Sequence, residues 1–80
     1  MAAPSRRSRS RRRAGRIFGK NLRQACAARG IDAAQLAQLT KRSRRSVERM
    51  LAGQSNPTVL LLMQIARSIE VPLAELVRDL

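Results

Sequence analysis

The feature that most constrains the fold is a short stretch in the middle of the chain, bounded by two residues that suit helix ends. Ser43 has a hydroxyl that can accept a backbone N–H bond as an N-cap, and Gly53 suits the left-handed turn that closes a helix. Between them Val47, Met50 and Leu51 recur at i, i+3 and i+4. This spacing predicts a short helix, about residues 44–52, with a single buried stripe.

A second short helix is expected immediately before the first, over about residues 33–40. It begins with a capping-box pattern, in which Asp32 is followed three residues later by Gln35. Small Ala37 suits a close helix crossing, where Val47 would pack opposite it. Two short helices joined by a short turn, with the second helix basic, predict a helix-turn-helix arrangement whose second helix enters the DNA major groove.

The outward surface of the second helix is rich in arginine. Guanidinium is planar and always charged, and it fits either guanine O6/N7 or a phosphate. Three arginines on one recognition helix favour sites that contain guanine. A solvated cationic face is the alternative. The residues expected to read bases are Ser43, Arg44, Arg45, Glu48 and Arg49.

Further residues at defined spacings extend this pattern over most of the chain. They are F-G-K-N-L at Phe18 to Leu22, Arg29-Gly30-Ile31, Leu36-Ala37, Ser43, Val47, Gly53, Asn56-Pro57, Ile65-Ala66, Ile69, Val71 and Leu73-Ala74-Glu75-Leu76. In these residues the chain resembles the lambda-repressor-like (Cro, XRE) helix-turn-helix family. The resemblance implies an all-α fold of five helices, which we place at residues 17–80.

Several residues depart from the pattern of that family, and Ala33 and Lys41 bear most directly on the helix-turn-helix. Ala33 stands where the family usually has a glutamine that holds a phosphate, so the resemblance does not carry that phosphate contact over to this chain. Lys41 stands at the usual glycine of the turn. Lys41 therefore either adopts a left-handed conformation at a modest cost, or the turn differs.

The core of this domain must be aliphatic, because Phe18 is the only aromatic residue of the 80. We expect helix 1 over Ile17–Arg29, helix 4 over about Thr58–Ile69 and helix 5 over about Pro72–Leu80. Their apolar stripes at helical spacing are Phe18, Leu22, Ala25 and Cys26; Val59, Leu62, Ile65, Ala66 and Ile69; and Leu73, Leu76, Val77 and Leu80.

The net charge of +12 is concentrated at the start of the chain, where residues 1–16 hold seven arginines and no acidic residue. Such a segment cannot bury apolar surface, so we expect a disordered basic arm that tracks phosphates or enters a minor groove. In the resembling family the loop after helix 3 also touches the DNA backbone. The expected phosphate contacts are Arg11, Arg12, Arg13, Arg16, Lys20, Lys41, Arg42, Gln54, Ser55, Asn56 and Thr58.

Helix 4 has more apolar residues than one buried stripe requires. Leu60, Leu61 and Met63 lie outside the stripe, which indicates burial against another surface. We expect a homodimer on DNA, since one module covers only a half-site and the resembling family usually binds paired half-sites. A different protein partner on helix 4 or helix 5 is the alternative.

The residues that catalysis usually needs are scarce. The chain has no histidine, and we find no metal-ligand cluster, Gly-rich phosphate loop or membrane span, so we expect no enzyme, cofactor or membrane partner. We interpret the lone Cys26 as a small buried hydrophobe. The leading hypothesis is a sequence-selective double-stranded DNA-binding protein, a small transcriptional repressor or regulator that is cytoplasmic and bacterial or phage-encoded. The alternatives are a non-specific, nucleoid-like nucleic-acid-binding protein and an antitoxin-type interaction module.

Overall fold

Five helices account for the architecture of the chain. The computed structural model describes residues 6–80, and its side chains from Arg9 onwards. The helices are α1 (Arg6–Ala28), α2 (Ala33–Thr40), α3 (Arg44–Leu51), α4 (Val59–Ser68) and α5 (Leu73–Val77). No strand occurs within these residues. The expected all-α, five-helix fold is confirmed.

The caps expected from the sequence are present at the starts of α2 and α3. Asp32 Oδ1 accepts from the Gln35 backbone N at 2.8 Å, and Gln35 Oε1 accepts from the Asp32 backbone N at 3.0 Å. Ser43 Oγ accepts from the Ser46 backbone N at 3.1 Å. Local hydrogen bonding therefore determines where both short helices begin, as the sequence indicates.

The core is aliphatic around one aromatic ring, as expected. Its buried members are Phe18, Leu22, Ala25, Cys26, Leu36, Val47, Met50, Leu62, Ile65, Ala66, Ile69, Val71 and Leu76. Burial raises the pKa of the Cys26 thiol, while Arg29 acts in the opposite direction. The thiol therefore stays protonated near neutral pH and behaves as a small hydrophobe.

Three residues of the expected apolar stripes are exposed. Val59 is 70% exposed, because it is the first residue of α4 and precedes the part of that helix that packs on the core. Leu73 and Leu80 are also exposed. The helix α5 ends at Val77, and Arg78 has extended dihedral angles, so Leu80 leaves the helical face that buries Leu76.

Helix α1 is the central element, since it packs against α3 and against α5. Gly19 allows its backbone to approach the end of α3 directly. A Cβ atom at Gly19 would lie 2.9 Å from Gly53 Cα, Gly53 N and the Met50 carbonyl oxygen. One turn earlier, a Cβ atom at Gly15 would lie 2.8 Å from the carbonyl oxygens of Gly53 and Ser55. These two glycines place α1 on the backbone that follows α3.

The expected disordered arm over residues 1–16 is not what the structure shows from Arg6 onwards. Helix α1 starts at Arg6 and not at Ile17, and Gly15 is buried. Arginine has a high helix propensity, and the contact of Gly15 with the loop after α3 anchors the segment. The part of the expected arm at residues 1–5 lies outside the described residues.

A buried polar side chain joins α1 to α5. Asn21 Nδ2 donates to the carbonyl oxygen of Leu76 at 3.0 Å and to that of Arg78 at 2.7 Å. Asn21 is only 4% exposed, and α5 ends at Val77, within one residue of both carbonyls. The amide thus satisfies carbonyl groups that the short helix leaves without an intrahelical donor.

We expect Asn21→Leu to lower the free energy of unfolding by about 1–3 kcal/mol, the cost of leaving a buried acceptor unsatisfied. Gln24→Leu is the control, because Gln24 is exposed on the same helix. Urea denaturation of the two variants measures the difference. Equal free energies of unfolding for the two variants would show that the Asn21 amide does not stabilise the end of α5.

No helix within residues 6–80 has the length and apolar composition required to cross a membrane.

Candidate nucleic-acid interface

The turn between α2 and α3 is made by Lys41 in a left-handed conformation. Its φ and ψ angles are 54° and 40°, so Lys41 takes the conformation usually left to glycine. The Arg42 backbone N then donates to the Ala37 carbonyl oxygen at 3.0 Å. Of the two possibilities left open by the sequence, the structure shows the first: the turn is kept and Lys41 is strained.

We expect Lys41→Gly to raise the free energy of unfolding by about 0.5–1 kcal/mol, because the relief of strain exceeds the added entropy of the unfolded chain. Lys41→Ala removes the same charge but keeps the Cβ atom, so it should bring no gain. Thermal denaturation compares the two variants. Equal melting temperatures for the two variants would show that the strain at Lys41 is not significant.

Helix α3 turns its arginines to solvent because Val47 and Met50 fix its opposite side in the core. At 100° per residue, Arg45 and Arg49 fall on the side that faces away from these two residues. Both arginines are exposed. With Ser43, Ser46 and Ser55 they line a surface groove of about 290 Å³, here called the α3 groove.

The α3 groove can hold the edge of an anionic or electron-rich partner. Two guanidinium groups supply paired N–H donors, and the serine hydroxyls can donate or accept. This donor set suits guanine O6/N7 and phosphate oxygens. Four of its residues were expected from the sequence, three as base readers and Ser55 as a phosphate contact.

Arg44 and Glu48, also expected to read bases, form an ion pair on the side of α3. Arg44 Nε lies 3.1 Å from Glu48 Oε1, and both side chains are more than half exposed. An exposed pair at i, i+4 contributes only a few tenths of a kcal/mol. Arg44 can therefore leave Glu48 for a stronger acceptor, but it does not line the α3 groove.

The end of α3 and its following loop are held by hydrogen bonds. Arg23 of α1 donates through Nη1 to the Leu51 carbonyl oxygen, and the Gln54 backbone N donates to the Arg49 carbonyl oxygen at 2.9 Å. Gly53 has a φ of 80°, in agreement with the expected left-handed turn. This arrangement fixes the loop beside the α3 groove.

The expected phosphate contacts of this loop lie on its surface. Gln54 and Asn56 are exposed, and Ser55 is half-buried. The hydroxyl of Thr58 caps α4 by accepting from the Leu61 backbone N at 3.1 Å. Its O–H group remains able to donate to a phosphate.

A second basic surface, here called the turn patch, lies at the turn. Lys41, Arg42 and Arg67 line one shallow groove of about 440 Å³ together with residues of α2 and α4. Arg42 Nη2 donates to Gln64 Oε1 at 2.9 Å, which orients its guanidinium. Lys41 and Arg42 were expected phosphate contacts, and the structure adds Arg67 to them.

The remaining expected phosphate contacts lie on α1. Arg11, Arg12, Arg13, Arg16 and Lys20 are all exposed on this one helix. They therefore point in different directions around the helix, which a disordered arm would not impose. Arg13 lines a groove with Asp79 and Leu80 at the other end of the chain.

The expected partner surface on α4 changes by one residue. Leu60 and Met63 are 65% and 54% exposed, whereas Leu61 is half-buried against the core. Val59, expected in the core, is exposed beside them. The apolar surface available to a partner, here called the α4 patch, therefore consists of Val59, Leu60 and Met63.

The positions of Ser46 and Arg67 in these surfaces, and the contact of Arg23 with the end of α3, are absent from the expectations. Ser46 follows Arg45 in the sequence and lines the α3 groove. The only sequence signal for this placement is the position of Ser46 relative to the buried stripe of α3. Arg67 joins the turn patch through tertiary packing of α4, and Arg23 closes α3 across the gap between helices. No local sequence signal marks either arginine.

Comparisons with known proteins agree with this geometry. The sequence pattern of the family described as "Helix-turn-helix domain" matches residues 17–79. The crystal structure of the restriction-modification controller protein C.AhdI from Aeromonas hydrophila superposes with a TM-score of 0.70 at 27% sequence identity. The match covers 78% of this chain and 94% of that chain. No curated protein shows a significant sequence match.

The family match includes the capped helices α2 and α3, the turn at Lys41 and the core that seats α3. The resemblance to a helix-turn-helix fold is thus confirmed by the geometry, by the family pattern and by a solved structure. The chain belongs to the helix-turn-helix domain family.

Proposed function

We propose that this chain is a sequence-selective regulator of transcription that binds double-stranded DNA. Helix α3 enters the major groove, and Arg45 and Arg49 of the α3 groove donate to guanine edges. Ser43, Arg44 and Glu48 border this contact, while the turn patch and the loop after α3 hold phosphates on its two sides. Repression by occupying a promoter is the simplest mode of action for a domain of this size.

The observation that carries the proposal is the outward pair Arg45 and Arg49. A non-specific binder needs only positive charge, but these side chains project from a helix whose other side is fixed by buried Val47 and Met50. Fixed placement is what direct reading of base edges requires. The similarity to a protein named as a restriction-modification controller supports the class of regulator.

The proposal includes a homodimer on DNA. The α4 patch is apolar and exposed, and it lies on the helix that carries Arg67 of the turn patch. Pairing two copies through this patch would bury Leu60 and Met63 and present two α3 helices to successive half-sites. A Met63→Glu variant should then bind one half-site with unchanged preference but lose the tight binding of the paired site.

Selection from random duplex DNA, followed by affinity measurements at about 0.15 M salt, tests the function. We expect one enriched sequence, bound at least about 10³-fold more tightly than random duplex. A ratio near one would favour the non-specific, nucleoid-like alternative. Absence of duplex binding would favour the interaction module, with the α4 patch as its working surface.

A further inference from the structure

The helical start of α1 arranges its arginines in a way that an unstructured arm could not. At 100° per residue, Arg9, Arg12 and Arg16 fall within a sector roughly 60° wide. These three exposed residues, here called the arginine ridge, follow each other at i, i+3 and i+7. At 1.5 Å per residue the ridge is about 10 Å long, a length over which one DNA strand presents roughly three phosphates.

The ridge lies on the side of α1 that faces the DNA-binding surface. Gly15 and Gly19 contact the backbone after α3, and Arg23 donates to the last turn of α3, so these residues define the side of α1 next to α3. On the helical wheel the ridge adjoins that line of contact. Arg16 itself touches the loop, because a Cβ atom at Gly53 would lie 3.1 Å from Arg16 Cα.

The other two arginines of residues 9–16 lie outside the ridge, one on each side of it. Arg13 falls about 40° from Arg9 on the helical wheel, on the side away from Arg12, where it lines the groove with Asp79 and Leu80. Arg11 lies about 100° or more around the helix from every ridge residue. The four side chains thus divide into two matched pairs on the same helix, Arg12 with Arg16 and Arg11 with Arg13.

The charge of the ridge is not neutralised within the described part of the protein. The ion pairs of residues 9–80 are Arg29–Glu75 and Arg44–Glu48, both away from the ridge. Like charges three and four residues apart destabilise a helix, and cations at a helix N-terminus oppose its dipole. A row of phosphates beside the ridge would remove both penalties.

We propose that the arginine ridge is a helical binding site for the phosphate backbone of the duplex that α3 reads, placed on the flank next to the loop after α3. The proposal rests on the proposed function for the presence of duplex DNA, and it assigns one face of α1 to that ligand. Arg12 and Arg16 contact phosphates, whereas Arg11 and Arg13 do not. The ridge adds affinity without sequence preference.

The test compares Arg12→Ala/Arg16→Ala with Arg11→Ala/Arg13→Ala in the full chain. Both variants lose two charges from the same helix. Fluorescence anisotropy measures binding to the selected duplex and to random duplex between 0.05 and 0.5 M salt. For the ridge variant we expect the slope of log K against log salt to become shallower by about 1.8, at about 0.9 per lost contact. The Arg11/Arg13 variant should keep the slope of the unmodified chain.

Equal changes of slope in the two variants would contradict the proposed site. The number of charges would then determine binding, and not the face of α1 that carries them. Unchanged slopes in both variants would also contradict the proposed site. The single variant Arg12→Ala, at an exposed position, provides a second measurement if Arg16→Ala lowers stability. The ridge variant should retain the ratio of selected to random affinity, and that ratio in the unmodified chain separately tests the proposed function.

Discussion

Replacing Gly19 by Val is expected to lower the free energy of unfolding by about 3 kcal/mol, at the upper end of the cost of overpacking. The three atoms that a Cβ atom would meet at 2.9 Å all belong to the backbone of Met50 and Gly53. Backbone cannot rotate away as a flexible side chain can, so α1 must separate from the end of α3. For a domain of this size the melting temperature should fall by roughly 12–24 °C.

Lys20→Val is the matched control for this substitution. Lys20 is adjacent in the same helix and exposed, so its replacement costs only the lower helix propensity of valine, less than about 1 kcal/mol. Thermal denaturation followed by circular dichroism compares the two variants. Equal melting temperatures would mean that α1 does not lie on the backbone of α3, and the placement of the arginine ridge would fail with it.

The second large effect concerns base reading. Replacing both Arg45 and Arg49 by Ala should cost about 2–6 kcal/mol at the selected site, at about 1–3 kcal/mol for each bidentate contact with guanine. Binding to random duplex should weaken far less, since each arginine contributes little more than one charge there. The preference for the selected site would then largely disappear. Titrations of both duplexes at one salt concentration measure the two losses.

Arg78→Ala controls for the change of charge, because Arg78 is exposed beyond α5, on the other side of α1 from α3. It should leave the preference for the selected site unchanged. Equal losses on selected and random duplex in the Arg45/Arg49 variant would contradict base reading and leave those residues as phosphate contacts. Arg44→Ala tests separately whether the pair with Glu48 opens on DNA.

The central motif could be predicted from the sequence because its determinants are local. The capping box at Asp32, the N-cap at Ser43 and the glycine at Gly53 each act over three or four residues. The buried stripe of α3 follows from helical spacing alone. These signals agree with one another, and together they place α2, the turn and α3 where the structure has them.

The start of α1 could not be predicted in the same way. Composition indicated disorder over residues 1–16, since arginine and serine bury nothing. The contact that anchors the segment is between Gly15 and the loop more than thirty-five residues later, and a glycine carries no sign of such an approach. The hydrogen bonds of Asn21 to the end of α5 are likewise tertiary and have no local pattern.

The residues of the candidate site also differ in whether local sequence signals predict them. Arg45 and Arg49 follow from the stripe of α3, because residues opposite a buried stripe must be exposed. Arg67 joins the turn patch only because α4 packs against α2, and Arg23 reaches the end of α3 only because α1 crosses there. In the α4 patch, helical spacing correctly predicted that Leu60 and Met63 lie outside the buried stripe. It wrongly predicted a buried Val59 and an exposed Leu61, because spacing does not show where packing on the core begins.

Methylation interference on the selected duplex tests most directly whether α3 reads guanine in the major groove. Guanine N7 lies in the major groove, where Arg45 and Arg49 are proposed to donate to it, so a methyl group there blocks the contact. We predict that N7 methylation of one or two guanines in each half-site strongly reduces binding by the unmodified chain. The Arg45→Ala/Arg49→Ala variant should be insensitive to the same methyl groups. Binding by the unmodified chain that tolerates N7 methylation at every guanine would contradict the account.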